Sequence, residues 1–316
     1  MPTKNRDRGA PRHRRLAALT ALAALAAGCS SLHPRDESAT RASAPAAPPA
    51  AARPAAVLPQ GATGQEPNSR LGAAERDLTR RQLALAAERW GLAAVPLKAP
   101  APPADRPALT AGPNVLLADG LPPVVRRVPT DDNVVFLTVD DGAEKDPEFA
   151  AMAAELHVPM SVFLSDYLAR SDYDYFRALR DHGVSVNNHT INHPDLRRLG
   201  ADALRKEICG QQDRLEQELG ARPRLFRPPY GEYTDAALRT AASCGITAVP
   251  LWTEEAFPDH LEYRYADQKL HPGDIVLTHF RAPAPGWRGS MADMLRRVVD
   301  TATAQGFAVA RLEDYL

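Results

Sequence analysis

The feature that most constrains the fold is an apolar run that ends in two adjacent carboxylates. Residues 134–139 read Val-Val-Phe-Leu-Thr-Val, and Asp140, Asp141 and Gly142 follow directly. An uninterrupted, β-branched run of this kind is typical of a strand buried on both faces in a parallel sheet. Because burying unpaired charge is costly, two acids at its carboxyl end indicate a ligand or catalytic site. On this stretch alone, an Asp-rich turn with a left-handed glycine stays an alternative interpretation.

Apolar runs alternate with helical segments from about residue 122 to residue 316. The predicted strands are residues 134–139, 160–164, 184–186, 225–227, 246–251, 275–280 and 307–310. Helix starts are indicated by Asp146 before Pro147, by Thr234, and by a capping box of Ser290 with Asp293. About seven such units predict an α/β fold, a distorted (β/α)7-type barrel with parallel strands. The segment is short for eight full units, which need about 250 residues.

The N-terminus has the pattern of an export signal, predicted over residues 1–29. A basic segment precedes an apolar run at residues 16–27, which is shorter than the roughly 20 residues of a membrane-spanning helix. Small residues then lead to Cys29, as in a bacterial lipobox. We expect Cys29 to be lipidated, so that the exported protein is anchored at the outer face of the cell membrane. An ordinary secretory signal with an incidental cysteine is the alternative.

The charge balance argues against nucleic acid as a partner. The chain has 38 Lys and Arg against 39 Asp and Glu. Without residues 1–29, which hold six of the basic residues and one acid, the counts become 32 and 38, a difference of −6. A mildly acidic exported protein has no general attraction to nucleic acid. We expect a monomer that contacts the membrane only through a lipid anchor at Cys29.

An Ala/Pro-rich region separates the signal from the α/β segment. Residues 30–121 are predicted to be a linker because this composition cannot build a core. Within it, residues 71–92 are a candidate helix, which either packs on the main domain or stands as a separate short helix. The catalytic domain is predicted to span residues 122–316.

After Cys29, the sequence contains only Cys209 and Cys244. Outside the cytoplasm two thiols can form a disulfide, here one that bridges two neighbouring helices. The alternative is that both are small buried apolar residues.

His189 and His193 follow the strand predicted at residues 184–186. Two histidines at i and i+4 fall on one face of a helical turn, which Pro194 ends at His193. Together with Asp141 they form a candidate site for Zn²⁺ or a similar divalent ion.

Two further strand ends carry polar groups. Residues 227–231 read Arg-Pro-Pro-Tyr-Gly, a rigid loop that can direct a backbone N–H at a developing oxyanion. His279 ends the strand predicted at residues 275–280 and is a candidate general acid. Taken alone, each has a structural interpretation without function. Residues 227–231 could be a stiff turn with Arg227 at the surface, and His279 could be a structural histidine.

Together these motifs resemble the polysaccharide deacetylase family, the family 4 carbohydrate esterases with a nodulation-type deacetylase domain. Five family motifs have counterparts here. The motif T-F-D-D matches Thr138 to Asp141, H-S/T-x-x-H matches His189 to His193, and R-x-P-Y/F-G matches Arg227 to Gly231. The fourth motif, which contains a Trp, matches Leu251-Trp252, and the fifth, Leu-x-His, matches Leu277 to His279. Their order and spacing match as well, over about residues 122–316.

The resemblance implies a role for each matched residue. Asp141, His189 and His193 would hold a divalent metal, most simply Zn²⁺, with Co²⁺ or another divalent ion as alternatives. Asp140 would be the general base and His279 the general acid. Arg227 would orient Asp140 and keep it ionised. The backbone N–H of Tyr230 would stabilise the oxyanion. Trp252 and Leu277 would line the pocket for the acetyl methyl group.

The sequence departs from the family pattern at three positions. Val139 replaces Phe, Phe280 follows His279 where Asp is common, and the fourth motif lacks its Asp. Glu254, Glu255 and Asp259 are the candidates to replace that Asp. The missing Asp bears on the residues that would tune the acidity of His279 more than it bears on the metal site.

The resemblance predicts a metal-dependent hydrolase of C–N bonds, a polysaccharide N-deacetylase. Its substrate would be an N-acetylated glycan of the cell envelope or extracellular space, such as peptidoglycan or a chitin-like polymer. A surface-anchored glycan-binding protein without turnover is one alternative, supported only by the altered fourth motif. A related hydrolase of a non-sugar amide is another.

Overall fold

The computed structural model describes residues 66–220 and 222–316. Within these residues, the main sheet has seven strands: β3 (Val134–Asp141), β4 (Ser161–Leu164), β5 (Ser185–Asn188), β7 (Glu254–Ala256), β8 (Leu261–Tyr263), β9 (Ile275–His279) and β10 (Ala308–Val309). Six of them lie in the order β5-β4-β3-β9-β7-β8, with β10 beside β3. All neighbours are parallel except the hairpin of β7 and β8.

In the described part of the chain, seven α-helices accompany the strands. They are α1 (Glu66–Arg89), α2 (Pro147–Glu155), α3 (Asp166–Ala169), α4 (Tyr173–Asp181), α5 (Ala201–Leu219), α6 (Asp235–Ser243) and α7 (Met291–Ala304). The predicted starts of three are confirmed: the Asp146 carboxylate accepts from the first turn of α2, the Thr234 hydroxyl from α6, and Ser290 and Asp293 form a capping box on α7.

Strand β3 lies at the centre of the sheet, and its two faces are buried in different apolar clusters. Val135, Leu137 and Val139 pack with residues of the surrounding helices, whereas Val134 and Phe136 pack inside the curved sheet. This double burial is the physical reason for the uninterrupted apolar run, since neither face contacts water. It also places the carboxyl end of β3, with its two acids, in the middle of one edge of the sheet.

The sheet curls without closing. A second sheet has the order β1-β2-β6, formed by Val115–Leu116, Val124–Val125 and Val249–Pro250. Single β-bridges join Asn188 to Phe226 and Leu225 to Ala248. These bridges continue the curve of the sheet from β5 towards β6, where regular strand pairing is absent, and together the two sheets form an open ring. The predicted α/β fold is confirmed. Two predicted strands are, however, shorter than expected. Within residues 225–227 the structure has only isolated bridges, and within residues 246–251 the strand is limited to Val249–Pro250. Regular pairing is interrupted on this side of the ring.

Helix α1 packs on the α/β domain. Ala86 and Ala87 are buried in the apolar cluster around α2 and α7, and the indole N–H of Trp90 donates a 2.8 Å hydrogen bond to Glu155. The helix therefore belongs to the same compact unit, which settles the choice that the sequence left open. Among the described helices, none combines the length and apolarity that crossing a bilayer requires. The predicted export signal and Cys29 lie outside the described residues.

Cys209 in α5 and Cys244 at the end of α6 form a disulfide, with their Cα atoms 5.2 Å apart. The bridge joins two neighbouring helices, as one of the two interpretations predicted. It closes a loop with a sequence separation of 35 residues.

Candidate active site

The two acids at the end of β3 diverge because the backbone changes conformation between them. Asp140 keeps extended geometry and faces the interior of the ring, whereas Asp141 has φ 79° and Gly142 has φ 91°. Asp140 is buried, and the side chain of Asp141 is 25% exposed. Asp140 is therefore enclosed by protein, whereas the Asp141 carboxylate is partly accessible to solvent.

Asp141, His189 and His193 bring three ligand atoms within 4.8 Å of one another. Nε2 of His193 lies 3.4 Å from Oδ1 of Asp141, and Nε2 of His189 lies 3.7 Å from the same oxygen. Within residues 66–220 and 222–316, this is the one group of three or more His, Cys, Asp or Glu side chains with metal-site spacing.

The protonation of His189 fits a metal ligand. Its Nδ1 lies 2.7 Å from the carbonyl oxygen of Arg227, which requires Nδ1 to carry the proton and leaves a lone pair on Nε2. Burial lowers the pKa of His189 to about 3, so the ring is neutral. Its approach to Asp141 is therefore not an ion pair. A neutral imidazole whose other nitrogen donates to a carbonyl is the form that binds divalent ions.

The histidines lie in a loop, and the predicted helical turn is wrong. Residues 189–193, hereafter the His loop, follow β5 directly; Thr190 and His193 have φ 71° and 56°. The backbone N–H of His193 donates to the Thr190 hydroxyl at 3.0 Å, and the Ser165 hydroxyl donates to the His189 carbonyl at 2.7 Å. Two left-handed residues return the chain on itself, and this brings His193 back towards His189.

Arg227 is wholly buried and holds Asp140. Its Nη1 donates to Oδ1 of Asp140 and to the Thr138 hydroxyl, both at 2.8 Å. Its other nitrogens donate to the carbonyls of Pro250 and Leu251, and its guanidinium stacks over Phe163 at 4.4 Å. Each of the three guanidinium nitrogens thus donates at least one hydrogen bond, which fixes the direction of the bond to Asp140.

The pKa of Asp140 reflects a balance of burial against positive charge. Burial raises the pKa of Asp140 above its ordinary value, and Arg227 followed by His279 opposes part of that rise. Arg227 thus favours the ionised form of Asp140, and burial outweighs that effect on the pKa.

His279 lies opposite Asp140 in the register of β3 and β9. Its Nδ1 is 3.6 Å from Oε1 of Glu255, and its ring meets the buried Trp287 edge-on at 6.5 Å between centroids. Among the three acids considered for the fourth motif, Glu255 is the one beside His279. Glu254 instead faces Thr253, and Asp259 pairs with His260.

The remaining predicted residues lie on segments that adjoin these side chains. The exposed Tyr230, at φ 62°, places its ring edge-on to His193 at 4.7 Å. Trp252 packs against Gly231, where an added Cβ would lie 2.9 Å from the indole. Leu277 is buried two residues before His279, on the same face of β9. The structure thus brings the predicted residues together except Cys29, which lies outside the described chain.

Comparison with known proteins identifies the family. Residues 127–249 match the family model for polysaccharide deacetylase. Over 197 residues the chain is 46% identical to the uncharacterized protein SCO4760 of Streptomyces coelicolor, covering 62% of this chain and 78% of the relative. The chain belongs to the polysaccharide deacetylase family. The resemblance predicted from the motifs is confirmed, and with it the enzyme class, hydrolases acting on C–N bonds.

More distant members of this polysaccharide deacetylase family agree. A chitooligosaccharide deacetylase of Sinorhizobium fredii is 27% identical over 204 residues, covering 60% of this chain and 94% of the relative. A solved structure of a family 4 carbohydrate esterase pseudoenzyme from Bacillus anthracis superposes with a TM-score of 0.52 at 22% identity, covering 61% of this chain and 68% of that one. At this identity the structural likeness concerns the fold, a distorted (β/α)7 barrel.

Motif matching did not find every residue that shapes this site. Glu207 in α5 hydrogen-bonds to Asn192 in the His loop, and Asn188 bonds to Thr190 and α5. A signal was present in the sequence. Glu207 occupies a position on the apolar stripe of α5 that includes Leu204, Ile208 and Leu215, where a charged residue is unexpected.

Proposed function

We propose that this chain is a metal-dependent N-deacetylase of an N-acetylated aminosugar polymer in the cell envelope or extracellular space. The observation that carries the proposal is the convergence of Asp141, His189 and His193 beside the buried pair of Asp140 and Arg227. A carboxylate and two imidazoles suit Zn²⁺, Co²⁺ or a similar ion. When bound there, such an ion supplies Lewis-acid activation of the attacking water and of the amide carbonyl.

The chain's own residues divide the proton transfers between two sides of the cleft. Asp140 accepts the proton of the attacking water as a C–O bond forms at the acetyl carbon. His279, across the strand pair, donates a proton to the amine nitrogen as the C–N bond breaks, giving acetate and a free amine. Arg227 fixes the orientation of Asp140, and the Tyr230 backbone N–H faces the carbonyl oxygen. Leu277 and Trp252 enclose the acetyl methyl group.

The polymer is proposed from the family and its named members. Relatives include chitooligosaccharide deacetylases and a peptidoglycan-N-acetylglucosamine deacetylase of Bacillus cereus. The test is acetate release from a panel of chitin oligomers and peptidoglycan, with metal analysis of the same sample. We expect release from at least one polymer and its loss with a chelator. A metal-loaded sample that binds these glycans without releasing acetate would instead support the alternative, a glycan-binding protein without turnover.

We further propose that residues 1–29 direct export and that Cys29 carries a lipid anchor. The basic, apolar and small-residue order of the first 29 residues supports this arrangement. The test is cell fractionation of the full chain and of Cys29→Ala. We expect the original chain in the membrane fraction and the variant outside it. Equal membrane retention of both would reject the anchor.

A further inference from the structure

Helix α5 holds the His loop through one buried carboxylate. Oε2 of Glu207 accepts a 2.8 Å hydrogen bond from the backbone N–H of Asn192, and Oε1 accepts one of 2.8 Å from the Asn192 side-chain amide. The backbone N–H of Ile191 donates to the Glu207 carbonyl at 3.1 Å. Both carboxylate oxygens and the main chain of one helical residue are thus bound to two consecutive residues of the loop.

These bonds act on a part of the loop that lies outside regular secondary structure. The His loop leaves β5 at His189 and must return within four residues to bring His193 to Asp141. Thr190 and His193 both have positive φ, a conformation that persists only where the surroundings enforce it. Ile191 and Asn192 lie between these two residues. Contacts at 191 and 192 therefore help to set where the His193 ring points, together with the bond from the His193 N–H to Thr190 and the contact of His193 with Tyr230.

The contact is stronger than ordinary packing. Glu207 is 8% exposed, and bonds from N–H groups to a buried carboxylate are shorter and stronger than neutral ones. Replacing the carboxylate with an apolar group would leave a backbone N–H and an amide without acceptors, at a cost in free energy that the loop avoids by moving. Movement of the loop displaces His193 relative to Asp141 and His189.

We propose that Glu207 is a positioning residue, whose carboxylate presets the His loop so that His189 and His193 bind a divalent cation together with Asp141. The inference rests on the proposed metal-dependent function, because it assigns a role towards the ion that these three residues hold. Glu207 itself contacts neither ion nor substrate. It acts through Asn192.

The test is the affinity of the purified chain for Zn²⁺, measured by competition with a chromophoric chelator, so that activity is not the readout. We expect Glu207→Leu to weaken zinc binding about 10- to 100-fold, the range for residues that orient metal ligands. Glu207→Gln keeps an acceptor for the Asn192 N–H and lets the Asn192 amide turn over, so we expect it to retain most of the affinity. The visible spectrum of the Co²⁺ form should change in Glu207→Leu and not in Glu207→Gln.

Loss of stability is separated from loss of positioning by a matched control. Leu215 lies two turns further along α5, is fully buried and contacts the apolar core. Leu215→Ala should lower the melting temperature of the metal-free protein and leave zinc affinity unchanged. Equal zinc affinity in the original chain and Glu207→Leu would overturn the positioning role, as would equal weakening in Leu215→Ala at similar stability. An original chain that binds no divalent ion would overturn the proposed function as well.

Discussion

The guanidinium of Arg227 and the carboxylate of Asp140 form a buried ion pair, with 2.8 Å between Nη1 and Oδ1. The arginine is fully enclosed and the carboxylate nearly so. A buried pair of this kind is retained because removing either partner leaves the other charge without compensation. The pair links the end of β3 to the loop at residues 227–231, and it places the candidate base between the metal group and His279.

Arg227→Met should therefore destabilise the fold as well as abolish activity. The change leaves Asp140 buried without its cation, and we expect the free energy of unfolding to fall by about 3–5 kcal/mol. Urea unfolding followed by circular dichroism measures this. Arg197→Met is the control, because Arg197 is half-exposed and its ion pairs lie at the surface. A similar loss in both variants would contradict the importance of burial.

Asp140→Asn should separate catalysis from metal binding. Asparagine has nearly the same shape and keeps an oxygen towards Arg227, but it cannot accept a proton from water. We expect the metal content to stay at that of the original chain while acetate release falls by at least about 10²- to 10⁴-fold, the range for loss of a general base. Full activity in this variant would reject Asp140 as the base.

His193→Ala should lose the metal. The substitution removes one of three ligand atoms in a group with a 4.8 Å spread, and the residual Asp141 and His189 cannot enclose an ion alone. Metal stoichiometry after dialysis measures the loss. His260→Ala is the control, since His260 is exposed and pairs with Asp259 away from the metal group. Unchanged stoichiometry in His193→Ala would reject the ligand assignment.

The sequence predicted the site better than it predicted the backbone around it. The β3 run, its two acids and the His189/His193 spacing predicted that Asp141, His189 and His193 come together at a strand edge. The structure places their ligand atoms within 4.8 Å of one another. The same spacing led to the wrong prediction of a helical turn, because two histidines at i and i+4 can also come together in a loop that folds back on itself. The left-handed residues Thr190 and His193 carry no glycine signal, so local propensity could not reveal the turn.

Contacts made from a distant helix were beyond sequence reasoning for a related reason. Glu207 reaches Asn192 across 15 residues, and Glu255 reaches His279 across a strand pair. These distances are set by the tertiary packing of separate elements. No local pattern in the sequence predicts that packing. A charged residue on the apolar stripe of α5 indicated that something polar is satisfied there, without saying what.

The disulfide between Cys209 and Cys244 should contribute to stability outside a reducing compartment. It closes a loop with a sequence separation of 35 residues, for which loss of chain entropy in the unfolded state gives about 3–4 kcal/mol. We expect reductant to lower the urea midpoint of the original chain. The double variant Cys209→Ser with Cys244→Ser should be less stable and indifferent to reductant. Two reactive thiols in the denatured, unreduced chain would contradict the bridge.

A second buried cluster should make stability fall as pH rises. The Thr253 hydroxyl lies 2.5 Å from Oε2 of Glu254 and 3.1 Å from Oδ1 of Asp274. A hydroxyl has one proton, so one of these contacts is donated by a protonated carboxyl group. Burial, followed by the nearby Asp274, raises the pKa of Glu254 to about 8. Glu254 is therefore the group that we expect to keep its proton at neutral pH.

The sign follows from comparing the folded and unfolded chains. An unfolded glutamate releases its proton near pH 4.3, about its ordinary pKa, whereas folded Glu254 keeps it up to about pH 8. Stability from this group is thus present at low pH and declines between these values, by about 1.4 kcal/mol per unit of pKa shift. Glu254→Gln resembles the protonated group and does not titrate. We expect its free energy of unfolding, measured in urea, to match the original chain at pH 5 and exceed it by a few kcal/mol at pH 8; parallel pH profiles would show that Glu254 is ionised in the folded protein.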